Sequence, residues 1–120
     1  MITFVIPGKI TSANRVTRRV GNASIKSASA RGDHERIRSL ALTVTRQDQY
    51  IHWVAAYPRA TVTVTAYNSR LDADNLPKTI LDGIKGILIV NDSPKHLRRL
   101  VVEHVSDKLG ERYAVTVEAA

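Results

Sequence analysis

Alternation of apolar and polar positions is the first pattern visible along the chain, and it predicts four β-strands. The clearest case places Val62, Val64 and Ala66 on one face of a strand. The predicted strands cover residues 2–7, 61–67, 97–105 and 112–118. The turn that contains Gly110 is expected to join the last two strands as a hairpin. A weaker alternation in residues 15–27 suits either a further hairpin or an extended basic arm.

Apolar residues that recur every three or four positions predict two helices, at residues 31–48 and 75–88. The apolar positions of the first helix are Ile37, Leu40, Ala41 and Val44. Those of the second helix are Leu76, Ile80, Ile84 and Ile87. Ser29 is a plausible N-cap for the first helix, and Asp74 occupies the N-cap position of the second. Pro77 falls in the first turn, where its missing N–H costs little.

The order of these elements is strand, hairpin or arm, helix, strand, helix, strand and strand. This order indicates an α+β fold with a mixed β-sheet and two main helices. The sequence has 120 residues and shows no internal repeat, low-complexity tract or linker-like segment. We therefore predict that residues 1–120 form a single domain.

The positive charge of the chain is concentrated in its first part. The net charge is +7, and residues 1–71 hold eleven Lys and Arg against three acidic residues, whereas residues 72–120 hold seven against eight. Such asymmetry indicates a nucleic acid or another anionic partner. Solubility alone is an equally good explanation of the charge, so other features must decide between them.

Several classes of protein are not expected from this sequence. The chain contains no cysteine, which excludes a disulfide framework and a thiolate zinc site. The apolar run at residues 2–7 has no basic segment before it, so a signal peptide is not expected. No apolar run is long enough to span a bilayer. The expected location is the cytoplasm.

Four aspartates lie close together in the less basic part of the chain: Asp72, Asp74, Asp82 and Asp92. Two carboxylates about 4 Å apart repel by roughly 4 kcal/mol at an effective dielectric near 20, so such a cluster calls for a cation. Asp74, Lys78 and Asp82 are spaced four residues apart and should share the helix face opposite the apolar stripe. Asp92 follows the helix and could return to the same pocket.

These residue types suit metal-dependent cleavage of a phosphodiester. Mg²⁺ prefers oxygen ligands and usually takes one or two carboxylates together with substrate phosphate. Such an ion can activate the attacking water and stabilise the leaving oxygen, and Lys78 could neutralise the phosphate during attack. The site shows no obvious Ser, Cys or His nucleophile, so direct attack by water is the simpler mechanism.

Each of these residues also has a structural explanation. Asp74 could be only a helix cap, and Lys78 could be only its ion-pair partner four residues along the helix. Asp92 could be a turn former, and Asp82 could serve only to hold Lys78 in place. The combination around one helix entry favours the functional interpretation for Asp72, Asp74 and Asp92.

The acidic segment resembles that of the RusA-type Holliday-junction resolvases. The family pattern is Asp-x-Asp-Asn-Leu-x-Lys, then an Asp four residues on, then an Asp after a short apolar stretch. The matching residues here are Asp72, Asp74, Asn75, Leu76, Lys78, Asp82 and Asp92. Chain length and element order also agree with the family. The segment Ser12-Ala-Asn14-Arg15 resembles the family's Ser-x-Asn-Arg segment, which is expected near the DNA.

The resemblance implies a RusA-like fold and a homodimer that resolves four-way DNA junctions by paired nicks in recombination and repair. It implies Mg²⁺ as cofactor, with Mn²⁺ as a possible substitute, and a bacterial or prophage origin. Asp72, Asp74 and Asp92 would be catalytic metal ligands and Lys78 a catalytic lysine. Asn75 and Asp82 would support them.

Basic residues outside the acidic segment are candidates for DNA binding. The predicted phosphate contacts, together with the motif residue Asn14, are Lys9, Asn14, Arg15, Arg18, Arg19, Lys26, Arg31 and Arg70. Arg98 and Arg99 are adjacent in a predicted strand, so at most one of them can point at a given ligand.

Three aromatic residues, Tyr50, Trp53 and Tyr57, could stack on unpaired bases or could belong to the core or a dimer interface. Two functional alternatives also remain: a non-catalytic accessory protein that binds branched DNA, and a flap or branched-DNA endonuclease.

Overall fold

A computed structural model describes residues 1–10, 17–20, 23–26 and 28–120. The strands are β1 (Ile2–Pro7), β2 (Thr17–Val20), β3 (Ala23–Lys26), β4 (Ala60–Tyr67), β5 (Leu97–Val105) and β6 (Arg112–Ala119). The α-helices are α1 (Ala28–Thr45), α2 (Trp53–Ala56) and α3 (Leu76–Ile84), and a 3₁₀ turn covers Asp48–Tyr50. The α+β class, the four predicted strands and the two main helices are confirmed.

The main sheet has four strands in the order β1-β6-β4-β5. Strand β6 is antiparallel to both β1 and β4, whereas β4 and β5 are parallel, so the sheet is mixed as predicted. Parallel neighbours need a crossover connection, and α3 lies in the segment that connects β4 to β5. Strands β2 and β3 form a separate antiparallel pair, which agrees with the hairpin rather than the extended arm for the described part of residues 15–27.

The predicted hairpin between the last two strands is wrong, because β4 lies between β5 and β6. The chain after β5 passes the end of β4 before β6 begins. Asn68, just after β4, holds this connection: its N–H donates to Val105 O at 2.8 Å, and its side-chain N–H donates to Asp107 Oδ1 at 2.8 Å. A turn signal in the sequence does not reveal whether a third strand lies between the two that it connects.

The core lies between one face of the main sheet and the two long helices. Along β4 every second residue is buried, and Ile37 of α1 and Ile80 and Ile84 of α3 are fully buried. The two helices contact each other at Gly83, where a Cβ would lie 2.5 Å from Ile37 Cγ2. The face of α3 that carries Lys78 is left outside this core, because Lys78 is exposed.

The helix ends differ from the predicted ones. Helix α1 begins at Ala28, so Ser29 lies inside the helix and the predicted cap is wrong. Helix α3 ends at Ile84 rather than 88, because Gly86 adopts the left-handed φ of 81° that glycine permits and its N–H donates to Ile89 O at 2.6 Å. The apolar pattern continued past this end because Ile87 and the two residues after it are buried in a turn.

The aromatic residues around α2 mostly serve packing. Trp53 is buried and contacts Tyr50 and Tyr57, with ring centroids 5.8 Å and 4.6 Å apart. The Tyr50 hydroxyl donates to Met1 O at 3.0 Å. Tyr57 is the exposed member of the group. Within the described ranges, no helix has the length and apolar character needed to cross a membrane.

Candidate active site

The segment between β4 and α3 carries Asp72 and Asp74, and its first residues are held rigidly. Asn68 has a left-handed φ of 57°, and its side chain also accepts from Asp107 N–H at 2.9 Å. Asp107 is itself fixed by Arg112, whose guanidinium donates to both carboxylate oxygens at 3.1 and 2.6 Å. These contacts fix the point at which the chain leaves the sheet toward the acidic residues.

A chain of hydrogen bonds then continues toward Asp72. The N–H of Leu71 donates to Ser69 Oγ at 3.2 Å, and Ser69 Oγ lies 2.7 Å from the Tyr113 hydroxyl. The Tyr113 hydroxyl donates to Glu111 Oε2 at 2.8 Å. On the other side, His104 Nε2 donates to Leu71 O at 2.8 Å. The residue before Asp72 is therefore tied to both β5 and β6.

The Tyr113 hydroxyl in this chain of hydrogen bonds should make the stability of the fold depend on pH in the alkaline range. Burial, assisted by the bond to Glu111, raises the pKa of Tyr113 to about 12 from its ordinary value of 10.0. A raised pKa means that the folded state keeps a proton that the unfolded state loses, so the free energy of unfolding should fall as the pH rises from about 10 to about 12. We expect Tyr113→Phe to make this fall shallower in denaturant titrations at several pH values. Equal slopes in the two proteins would contradict this expectation.

Asp72 and Asp74 are exposed at the entry to α3. The carbonyl of Asp72 accepts the N–H groups of Asn75 and Leu76, both at 3.0 Å, and so starts the helix with its main chain. The N-cap residue is Asn75, not Asp74, and its side chain makes no capping hydrogen bond. Pro77 lies in the first turn as predicted. Neither aspartate carboxylate pairs with a cation in the part of the chain that the structure describes.

The other members of the acidic segment form one chain of ion pairs along and beyond α3. Lys78 Nζ lies 3.9 Å from Asp82 Oδ2, as the four-residue spacing predicted. Lys85 Nζ lies 3.9 Å from Asp82 Oδ1 and 3.5 Å from Asp92 Oδ1. The main chain of Asp92 also contacts its neighbour, because its N–H donates to Asn91 Oδ1 at 2.7 Å. One ammonium thus joins the carboxylates of Asp82 and Asp92.

Lys85 is a member of this cluster that was not predicted from the sequence. Its spacing of three residues from Asp82 was a usable signal, but the contact with Asp92 depends on the turn after α3. Arg38 of α1 fixes this turn by donating to Lys85 O at 2.9 Å and to Gly83 O at 3.4 Å. The position of the Lys85 ammonium is therefore set by tertiary packing as well as by the helix.

Comparison of the sequence with models of known protein families gives a match. The model described as Endodeoxyribonuclease RusA matches residues 7–118, which include the whole acidic segment, β4, β5 and all of β6 but its last residue, whereas only the last residue of β1 is covered. The chain belongs to the RusA endodeoxyribonuclease family. A comparison with curated proteins finds no significant match. The exposed Asp72 and Asp74 therefore lie in a chain of a nuclease family.

Family membership raises the question of whether these residues suit a divalent cation. The described residues contain no group of three or more acidic or histidine side chains spaced to hold one metal ion. The shared site of Asp72, Asp74 and Asp92 therefore stays a prediction. The donor chemistry does suit Mg²⁺, because the candidate ligands are carboxylates, and a cation is already accommodated between Asp82 and Asp92 in the form of the Lys85 ammonium.

Two of the predicted DNA contacts lie beside this RusA-family segment. Lys9 and Arg70 line one cavity of about 440 Å³ together with the acidic Glu111 and with Leu71, which directly precedes Asp72. Arg36 holds the chain at Lys9 in place by donating to Lys9 O at 2.6 Å. Two cations therefore line a cavity that reaches the residue before Asp72, where β4 leads into α3.

For the remaining predicted DNA contacts, the structure gives only the element in which each described residue lies. Arg31 is exposed on α1. Arg18 and Arg19 lie in β2, and Lys26 lies in β3. Asn14 and Arg15 lie outside the described residues.

Proposed function

We propose that the chain is a Mg²⁺-dependent, structure-specific endodeoxyribonuclease that resolves four-way DNA junctions in recombination and repair. The observation that carries this proposal is the pair of exposed carboxylates, Asp72 and Asp74, which lie without a cationic partner in the described structure beside the cavity of Lys9 and Arg70. A carboxylate pair of this kind is suited to a divalent cation, and the adjacent cations are suited to phosphate.

We assign the roles within the site as follows. Asp72, Asp74 and Asp92 would hold the ion, which when bound supplies the activated water and stabilises the leaving oxygen. Lys78 is 58% exposed, so its ammonium can approach a phosphate while Asp82 keeps it oriented along α3. The side chain of Asn75 makes no capping hydrogen bond, and we assign it the role of orienting substrate or water.

Two nicks made while a junction stays bound call for two active sites. We propose a homodimer of single-domain chains, residues 1–120, because a two-fold symmetric enzyme matches the symmetry of a four-way junction and places one site on each of two strands. Paired incision on opposite strands is the product that this arrangement predicts. Mn²⁺ should support the same reaction, since it also prefers oxygen ligands.

A non-catalytic junction-binding protein is the second candidate function. One observation favours it. Among the described residues, Asp92 forms an ion pair with Lys85, and Asp72, Asp74 and Asp92 do not group as ligands of one metal ion. A flap or branched-DNA endonuclease would use the same site and would differ only in its preferred substrate.

A substrate panel separates these functions. Labelled four-way junction, flap and plain duplex are incubated with the purified chain in Mg²⁺, in Mn²⁺ and in EDTA. The proposed function predicts symmetric nicks in the junction that EDTA abolishes, with much slower cutting of the flap and duplex. Tight junction binding without cutting in either metal would support the accessory protein, and faster cutting of the flap would support the branched-DNA endonuclease.

The Lys85 ammonium should compete with a divalent cation for Asp92. Ion pairs between exposed groups are worth about 0.2–1 kcal/mol, so we expect Lys85→Gln to tighten Mn²⁺ binding by roughly 1.4- to 5-fold. Titration calorimetry measures this directly and does not depend on activity. The matched control is Lys108→Gln, which removes an exposed lysine from the connection between β5 and β6. Weaker Mn²⁺ binding by Lys85→Gln would show that this lysine assists the ion instead.

A further inference from the structure

Three cations surround a cavity at the end of the sheet where β4 and β5 begin. The cavity has a volume of about 390 Å³, and its lining residues are Pro58, Arg59, Lys95, His96 and Arg98. Arg59, Lys95 and Arg98 are all exposed, and no lining residue is acidic. Like charges grouped in this way repel one another unless an anion lies between them.

Hydrogen bonds hold the two sides of this cavity together. His96 Nδ1 lies 3.0 Å from Pro58 O, and Ala60 N–H donates to His96 O at 2.7 Å. Arg98 donates from its guanidinium to Pro94 O at 3.0 Å, which leaves its other N–H groups available. The cations are therefore carried by a fixed framework, which lowers the entropy lost when an anion binds.

The structure also distinguishes the two adjacent arginines of β5. Arg98 lines the cavity, whereas Arg99 does not. The pairing of β4 with β5 is irregular here, because Ala60 and Thr61 pair with Leu97 and Arg99 and leave Arg98 as the extra, unpaired residue. The ambiguity in the sequence is thus resolved in favour of Arg98.

The cavity follows directly after the acidic segment in the chain. Lys95 comes three residues after Asp92, and the Ser93 carbonyl accepts from His96 N–H at 3.0 Å and from Leu97 N–H at 2.8 Å. This tight turn places the start of the basic cluster beside Asp92, which limits the distance between them to a few residues of chain. A polyanion bound at Asp92 through a metal ion could continue over the cations without leaving the surface.

We propose that Arg59, Lys95 and Arg98 bind backbone phosphates of the DNA strand next to the phosphodiester that is cut. This inference rests on the proposed function, because DNA is the polyanion that the acidic segment would hold. Guanidinium groups match phosphate oxygens in a bidentate manner, and the cavity offers two of them with one ammonium. The contacts position the strand and read no sequence.

The test compares Arg98→Ala with Arg99→Ala, which remove the same charge from adjacent positions, of which only Arg98 lines the cavity. Binding of a four-way junction is measured by fluorescence anisotropy over a series of salt concentrations. We expect Arg98→Ala to bind more weakly and to lower the slope of log affinity against log salt by about 1, the loss of one phosphate contact. Arg99→Ala should keep the slope and the nicking rate of the parent chain.

The outcomes separate this inference from the proposed function. An unchanged slope in both Arg98→Ala and Arg59→Ala overturns the phosphate contact, even when the parent chain cuts junctions. A lowered slope in a chain that never cuts supports the contact and removes the nuclease proposal. Weaker binding of polyglutamate but not of DNA by Arg98→Ala would assign the cluster to an acidic protein and overturn the inference. Thermal unfolding of each variant confirms that the fold is intact.

Discussion

Asp72→Asn and Asp74→Asn are each expected to lower the rate of junction nicking by roughly 100-fold or more while junction binding stays as tight as in the parent chain, or becomes tighter. Asparagine keeps the size of the side chain but removes the charge that a divalent cation needs, and losing one electrostatic contribution in an active site costs on this scale. Binding is kept because a negative charge is removed from beside the phosphates. Single-turnover nicking and anisotropy measure the two effects separately.

The matched control for these variants is Glu118→Gln. Glu118 is exposed on β6 and lies in register with Thr61 near the start of β4, whereas Asp72 follows the other end of that strand. It changes the net charge equally at the end of the sheet that carries the basic cavity and not the aspartates, so its single-turnover nicking rate at saturating protein, which does not depend on affinity, should equal that of the parent chain. Normal cutting by both aspartate variants would show that the site has been assigned to the wrong residues.

Gly83→Ala is expected to lower the free energy of unfolding by about 1–3 kcal/mol, the usual cost of overpacking a core. The added Cβ would lie 2.5 Å from Ile37 Cγ2 and 2.8 Å from Ile37 Cβ. Ile37 is fully buried and its Cβ cannot move by side-chain rotation, so α1 and α3 must separate. Urea titration followed by circular dichroism measures the change.

Gly32→Ala provides the control for this variant. Gly32 is also within a helix, but a Cβ there would meet nothing within 4 Å. Alanine in an unhindered helical position should raise the free energy of unfolding by roughly 0.5–1 kcal/mol. If the two variants changed stability in the same direction and to the same extent, the close approach of α1 and α3 at Gly83 would be wrong.

The sequence predicted the fold where one side-chain pattern corresponds to one element. Alternation in β4 and the apolar stripe of α3 both arise from burial on one face, and both were found where expected. The hairpin between β5 and β6 was wrong because strand order depends on which edges pair, and a local turn signal such as Gly110 carries no information about that. The end of α3 was missed because the buried pattern runs on through Ile87 in a turn.

For the candidate site, too, the sequence predicted contacts within one element but not contacts between segments. The spacing of Lys78 and Asp82 predicted a contact within one helix, and their ion pair is present. The role of Lys85 and the basic cavity at Arg98 were missed because each needs two segments that meet only in the folded chain. The meeting of Asp72 with Asp92 depends on tertiary structure in the same way, and spacing alone could not establish it.

Iron-directed cleavage of the polypeptide is the most direct test of whether Asp72, Asp74 and Asp92 bind one ion together. Fe²⁺ replaces Mg²⁺ at the site, ascorbate and peroxide generate hydroxyl radicals at the bound ion, and mass spectrometry maps where the backbone is cut. A single ion shared by the three aspartates should give cuts both at residues 72–74 and around Asp92, suppressed by excess Mg²⁺ and absent in Asp74→Asn. Cuts confined to one of these two places, or located elsewhere in the chain, would contradict a single ion shared by the three aspartates.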